Sequence, residues 1–257
     1  ERVAHMSREV YKKIAEDTVA RSLRMEKTRV SRYYSARRLQ EMKQEPFDSP
    51  GHDTKISHLQ ADVVDVLPTL PGKAAVLNFA SARNPGGGFL GGSNAQEEAL
   101  SRASDLYSYL KDIKEFYKNP KHFDGGLYDS DAIYSKGVTF FKNGRGGDIE
   151  PFDVDVITSC AVNVKRLKKE GRFEDLKRAG EEMRVRIENV FELAARERVE
   201  TLVLGAFGCG VFGNDPYTVA DLFKRVIHSA RYDGAFKEIS FVIYGDQRLF
   251  QIFKGIR

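Results

Sequence analysis

The chain has 257 residues, 41% of them hydrophobic and 30% charged, with a formal net charge of +4. That length buries a full core without disulfides or a structural metal. No apolar run approaches the ~20 residues that cross a bilayer, and no charged-then-apolar signal segment opens the chain. Only two cysteines occur, Cys160 and Cys209, far apart in sequence. They argue against a disulfide framework or a four-cysteine zinc site and fit a reducing cytoplasm, where the protein is expected. The five histidines (His5, His52, His58, His122 and His228) make no H-E-x-x-H spacing. No metal or cofactor is expected, although an Asp-based cation site stays open.

Glu1 to His5 read as an expression remnant ahead of a native start at Met6. From Ser7 to about Lys43 there is no Pro or Gly, and Val10, Ile14, Val19 and Leu23 recur at helical spacing, which predicts one or two helices. The first fifty residues carry the whole net charge of +4; the remainder is neutral. The excess lies mainly in Arg21, Arg24, Lys27, Arg29, Arg32, Arg37, Arg38 and Lys43. Such a stripe is either a solvated helix face or a surface that steers a polyanion. Pro46, Ser49, Pro50 and Gly51 form a linker. The chain thus divides into a helical extension over 1–50, packed on a main domain over 51–257.

From Lys55 the texture changes. Short β-rich runs occur at 56–59, 74–79, 153–158, 201–205 and 238–244. Helical patterns lie between them: from Gln96 to about Leu110, from Leu176 to Ala194, and from Val219 to Ala230. Strands alternating with amphipathic helices predict an α/β domain, a mostly parallel sheet covered on both faces. Residues 119–152, with Asp124-Gly125-Gly126 and Asn143-Gly144-Arg145-Gly146-Gly147, read as exposed loops or a hairpin on the rim. No internal repeat is visible.

Two glycine loops follow predicted strands. Five glycines fall between residues 86 and 92, ahead of the helix opened by Gln96-Glu97-Glu98. A flexible connection would also accumulate glycine, but a plain strand-to-helix link needs only about 2–6 residues. This loop is longer and leaves the carboxyl end of a central strand, where open α/β sheets bind ligands. Its backbone N–H groups and the helix start beyond offer partial positive charge to a diphosphate. The second loop, Gly208-Cys209-Gly210-Val211-Phe212-Gly213, precedes a helix capped by Asp215 with Pro216 in its first turn. Formally this is G-x-G-x-x-G, which raises a dinucleotide-dependent oxidoreductase as a rival. Two details oppose it. Gly213 precedes the helix instead of packing in its first turn, and no acid stands at the end of a next strand about 20 residues on.

Glu97 and Glu98 are adjacent, so on a helix their side chains diverge by about 100°. They cannot oppose each other across a bond as two glycosidase carboxylates do. Either both merely complement the helix dipole, or one reaches the bond to be broken while its neighbour fixes the substrate. A dipole at a helix start favours the ionised form, so an acid at Glu98 needs burial or an anionic substrate to raise its pKa.

At these residues the chain resembles the bacterial, or microbial, type of poly(ADP-ribose) glycohydrolase. Gly-Gly-Gly, about seven residues, then Gln-Glu-Glu is that family's signature, and the wider string from Asn78 to Glu98 matches it. So do Gly208 to Pro216 and the stretch Val156 to Asn163, and the likeness extends over about residues 8–250 without departure at the signature residues. The resemblance implies a three-layer α/β/α macrodomain-like mixed sheet. It also implies hydrolysis of the ribose–ribose O-glycosidic bond of poly(ADP-ribose), with end-trimming favoured. Glu98 would then protonate the departing ribose oxygen and help activate water, and Glu97 would hold ribose hydroxyls, with Gln96 beside them. Gly86, Gly87 and Gly88 would approach the diphosphate and distal ribose. Gly208, Gly210, Val211 and Phe212 would form the opposite wall, with Phe212 on the distal ribose. Asn84 would bond a hydroxyl of that ribose, and Asp62 would accept from the adenine amino group. The expected partners are poly(ADP-ribose), ADP-ribose and ADP-ribosylated proteins, with no membrane and no sequence-specific nucleic acid, for a monomer. Two readings stay beside this one: an ADP-ribose reader without activity, and a hydrolase of ADP-ribose linked to protein or nucleobase.

Overall fold

The structure, a computed structural model, describes residues 6–257; the expected remnant Glu1 to His5 lies outside the described residues. Chain order opens with α1 (Arg8–Arg24), β1 (Val30–Tyr34), α2 (Ala36–Met42), β2 (Lys55–Gln60) and the short α3 (Val63–Val66). Next come β3 (Ala74–Phe79), α4 (Gln96–Ala103), α5 (Leu106–Leu110), α6 (Lys114–Tyr117), β4 (Ala132–Lys142) and β5 (Asp148–Ser159). The chain ends with α7 (Val164–Lys169), α8 (Phe173–Arg196), β6 (Thr201–Leu204), α9 (Pro216–Ile227), β7 (Glu238–Ile243) and α10 (Gln247–Lys254).

The strands form one seven-stranded sheet in the order β1-β4-β5-β3-β6-β7-β2. Neighbours from β5 to β2 are parallel, while β4 runs antiparallel to both β5 and β1. The first five residues of β3, Ala-Ala-Val-Leu-Asn, are all buried, as a strand covered on both faces requires. One face packs against α2, α8, α9 and α10, with Ile187, Phe191, Phe223 and Phe253 fully covered. The other face carries α3 to α6, with Leu100, Leu106 and Phe116 fully covered. The chain leaves β3 for α4 on one face and leaves β6 for α9 on the other. A crevice therefore opens at the carboxyl ends of these neighbouring strands.

Three expectations need correction. The segment Ser7 to Lys43 is not wholly helical, because Val30–Tyr34 forms an edge strand paired with Ala132–Lys136. The Val-Ser-Arg-Tyr-Tyr run suits a pleated surface, but its hydrogen-bonding partner lies a hundred residues away. Residues 119–152 are not merely rim, since Ala132–Lys142 is an interior strand with Ile133, Val138 and Phe140 fully buried. The flanking Gly-rich turns mask it in the sequence. The helix expected from Gln96 to Leu110 breaks at Ser104-Asp105. There Ser104 Oγ accepts from the Leu106 N–H, and the buried Asp105 accepts from the Thr139 N–H and pairs with Lys27 and Arg29.

The basic stripe is largely neutralised within the fold. Lys27 and Arg29 meet Asp105 at 3.1 and 2.9 Å, Arg21 meets Asp148, and Lys43 meets Glu188. Arg37 and Arg38 pair with Glu41 and Glu45. Six of its eight cations thus hold carboxylates, which favours the solvated, internally paired face over a polyanion track.

Candidate active site

The first turn of α4 is fastened to β3. Pairing of β3 with β6 ends at Val76 and Val203. Beyond it the Gln96 amide takes the place of a strand neighbour: Oε1 accepts from the Phe79 N–H at 2.9 Å and Nε2 donates to the Leu77 carbonyl at 2.6 Å. Both polar ends of Gln96 are thereby used in holding the helix start against the sheet.

Glu97 follows and is only 3% exposed. Its Oε1 accepts from the Ser81 N–H at 2.7 Å and its Oε2 from Asn78 Nδ2 at 3.0 Å. Asn78 Nδ2 also reaches Thr158 Oγ1. Burial pushes the Glu97 carboxyl up to about 8; the two donors oppose that rise, and the neighbouring Glu98 charge adds to it. Burial, one of the two routes offered for an acid at Glu98, falls instead on its neighbour. Glu98 is partly exposed on the cleft wall, where Oε1 accepts from the Gly88 N–H at 3.2 Å.

The glycine loop folds back over this turn, so the diverging carboxylates meet the same backbone. A Cβ on Gly87 would lie 2.7 Å from Glu98 Oε1 and 3.1 Å from Glu97 Oε1, and its φ of +60° is one that glycine adopts without strain. Gly86 is buried under the Phe89 ring, and Gly88 faces Ser93. Neither lines the cleft; Gly87 does.

The second loop faces the first across the crevice. Asn214 Nδ2 donates to the carbonyls of Val162 and Gly208, fixing the loop against the end of β5. Phe212 leans on Tyr128 with ring centroids 6.1 Å apart. Val211 is 78% exposed on the rim, an apolar side chain free to be covered by a ligand.

Between the loops lies a cleft of about 550 Å³. It gathers Asp62, Gly87, Gln96, Glu97, Glu98, Gly208, Gly210, Val211 and Phe212 around one cavity. Asp62 marks one end. It caps α3 by accepting from the Val64 N–H at 2.9 Å, and burial raises its pKa. Asn84 does not line this cleft; it lines a smaller cavity next to it.

Sequence reasoning missed Tyr11, Arg102 and Tyr244, which also line the cleft. The Arg102 guanidinium lies 4.2 Å from the centre of the Tyr11 ring and donates to Ser93 O and Asn94 Oδ1. Asn94 Nδ2 in turn donates to the Tyr11 hydroxyl. Through these contacts α1 becomes one wall of the site. Tyr11 and Tyr244 are brought in by contacts distant in sequence and carry no local signal. Arg102 is one helical turn beyond Glu98 on α4, a spacing that could have marked it. Among the described residues no group of three or more His, Cys, Asp or Glu is placed to hold a metal, and no helix is long and apolar enough to cross a membrane.

Two backbone-lined loops at the switch point of a mixed sheet, with a carboxylate pair at one end, define a hydrolase-type cleft for an anionic nucleotide. Residues 1–143 match the family model for the microbial-type PARG catalytic domain. Poly(ADP-ribose) glycohydrolase from Thermomonospora curvata is 30% identical, with 96% of this chain and 97% of that one covered and a TM-score of 0.82. The same enzyme bound to the inhibitor ADP-HPD gives a TM-score of 0.80 at 29% identity over the same shares. The enzyme from Deinococcus radiodurans in complex with ADP-ribose is 31% identical over 87% of this chain and 92% of that one, with a TM-score of 0.78. No curated protein sequence matches significantly. The chain belongs to the microbial-type poly(ADP-ribose) glycohydrolase family, whose fold is macrodomain-like.

Proposed function

We propose that this protein hydrolyses the ribose–ribose O-glycosidic bond of poly(ADP-ribose) and releases ADP-ribose. The convergence of Glu97 and Glu98 on Gly87 carries the reading, because it brings a backbone loop suited to phosphate and two carboxylates to one point. The relatives solved with ADP-ribose and with ADP-HPD support ADP-ribose as the occupant of the cleft.

In this reading adenine lies at Asp62 and the diphosphate crosses between the glycine loops. The distal ribose packs on Phe212, with its anomeric carbon before the glutamates. Glycosidic cleavage passes through an oxocarbenium-like state, so a proton on the departing oxygen lowers the barrier. Glu98, on the cleft wall, supplies that proton and then takes one from the attacking water. Glu97, buried and held by Ser81 and Asn78, fixes the ribose hydroxyls. The N–H groups of Gly87 and Gly88 are held by the Asn84 carbonyl and by Glu98. Those of Gly210, Val211 and Phe212 have no partner among the described residues and offset the diphosphate charge without reorganising.

The Asp62 end is enclosed by Tyr11, by Tyr244 and by Gly144 of the β4–β5 turn, with Gly144 N–H donating to Asp65 Oδ1 at 2.9 Å. A cleft closed off at this end supports release of terminal units. Product analysis on defined poly(ADP-ribose) tests the whole reading. Wild type should yield free ADP-ribose from the earliest times. Glu98→Gln should lose at least about 100-fold in rate yet still bind ADP-ribose. Early accumulation of long fragments would refute end-trimming, and an unchanged rate for Glu98→Gln would refute the assigned acid.

A further inference from the structure

We infer that the smaller cavity beside the cleft is a subsite for the nucleotide unit on the leaving side of the scissile bond. This rests on the glycohydrolase reading and adds to it a second place where the enzyme grips its polymer. The cavity holds about 400 Å³ and joins the main cleft at its carboxylate end, since Ser81 and Phe212 line both. Ser81 is also the residue whose N–H donates to Glu97. A group departing from an anomeric carbon before the glutamates therefore has this cavity next to it.

In poly(ADP-ribose) that departing group is an adenosine whose ribose oxygen leaves, followed by its diphosphate. The lining suits a base and an anion. Phe123 is 51% exposed, and the Arg83 guanidinium lies 5.3 Å from its ring centroid. Lys118 stands on the same wall. Among the described residues neither Arg83 nor Lys118 has a carboxylate within 4 Å, whereas most of the N-terminal cations are paired. An exposed ring beside free cations is the arrangement that stacks a base and attracts a phosphate without reading sequence. The Asn84 side chain, which makes no hydrogen bond among the described residues, adds a donor and an acceptor for a ribose hydroxyl.

The wall is preformed. His122 is fully buried, with its ring nitrogens 2.8 Å from the Ala82 carbonyl and from Asp131 Oδ1, and it ties the Phe123 segment to the loop after β3. Tyr128 is held at a φ of +59°, with its N–H and that of Gly126 both donating to Asp124 Oδ1. A left-handed tyrosine next to a catalytic loop is the kind of local strain found at ligand sites.

The test compares wild type, Phe123→Ala, Lys118→Met and Lys118→Glu on two substrates. One is poly(ADP-ribose); the other is an ADP-ribose 1″-O-aryl glycoside, which fills the main cleft but carries no nucleotide on the leaving side. Phe123→Ala and Lys118→Glu should lower kcat/KM on polymer about tenfold more than on the aryl glycoside, mainly through KM. Lys118→Met should fall between wild type and Lys118→Glu, and the Lys118 effects should shrink at high salt. Both side chains are exposed, and the aryl glycoside reports on the integrity of the main site in every variant. Equal losses on the two substrates, or no loss on either, would overturn the subsite. A selective loss on an ADP-ribosylated peptide without one on polymer would assign the cavity to protein and overturn it too. If wild type cleaved neither substrate, the glycohydrolase reading would fall and the subsite with it.

Discussion

Glu97→Gln separates the electrostatic role of the buried glutamate from its catalytic one. The folded carboxyl holds its proton up to about 8, against an ordinary value of 4.5. Between those limits the folded chain binds more protons than the unfolded one, so stability falls as pH rises and levels off above about 8. Each pH step in that window removes about 1.4 kcal/mol, or at most about 4 kcal/mol from pH 5 to pH 8. Glutamine cannot ionise and is free of this loss. Its carbonyl can still accept from the Ser81 N–H, but its NH₂ would face Asn78 Nδ2. The Asn78 amide must therefore turn over to present Oδ1, now buried without a partner among the described residues, with the Thr158 hydroxyl rotating to donate to or accept from it. Thermal unfolding across pH 5 to 9 should show the two proteins close at pH 5 and the variant higher by about 10 °C at pH 8. Hydrolysis should nonetheless drop at least about 100-fold, because the ribose loses its positioning group. A melting difference that does not change with pH would mean that Glu97 is ionised throughout, and would refute the argument.

Gly87→Ala forces a Cβ to within 2.7 Å of Glu98 Oε1 at a φ of +60°. It should cost about 1–2 kcal/mol of stability and about 100-fold or more in kcat/KM, checked by denaturant titration and steady-state kinetics on polymer. Asp62→Asn keeps an oxygen to cap α3 but loses the negative acceptor. Calorimetry should show ADP-ribose binding weakened by about tenfold, with KM on polymer rising more than kcat falls. Asp105→Ala leaves Lys27 and Arg29 without their buried partner, 3.1 and 2.9 Å away. Denaturant unfolding should register a loss of about 3–5 kcal/mol.

What local chemistry decides was legible in the chain itself. The β-rich runs became β2, β3, β5, β6 and β7, with ends within one residue of those expected except that β5 starts five residues earlier, at Asp148. The Asp215 cap and Pro216 opened α9 as their side chains dictate, with Asp215 Oδ2 accepting from the Thr218 N–H. The two glycine loops and the Gln96-Glu97-Glu98 turn were each legible as local features, while their meeting across one crevice was implied only by the family resemblance. Capping, glycine backbone freedom and hydrophobic period act over a few residues, so sequence order expresses them directly. Burial and strand pairing are sums over distant segments, and only the folded chain decided them. They placed β1 on the sheet edge, made β4 an interior strand and brought Tyr11 and Tyr244 to the cleft. They also put Asn84 in the neighbouring cavity. The same non-local packing decided which of two adjacent glutamates is desolvated, because Ser81, Asn78 and the sheet beneath close over Glu97 while Glu98 keeps its contact with solvent.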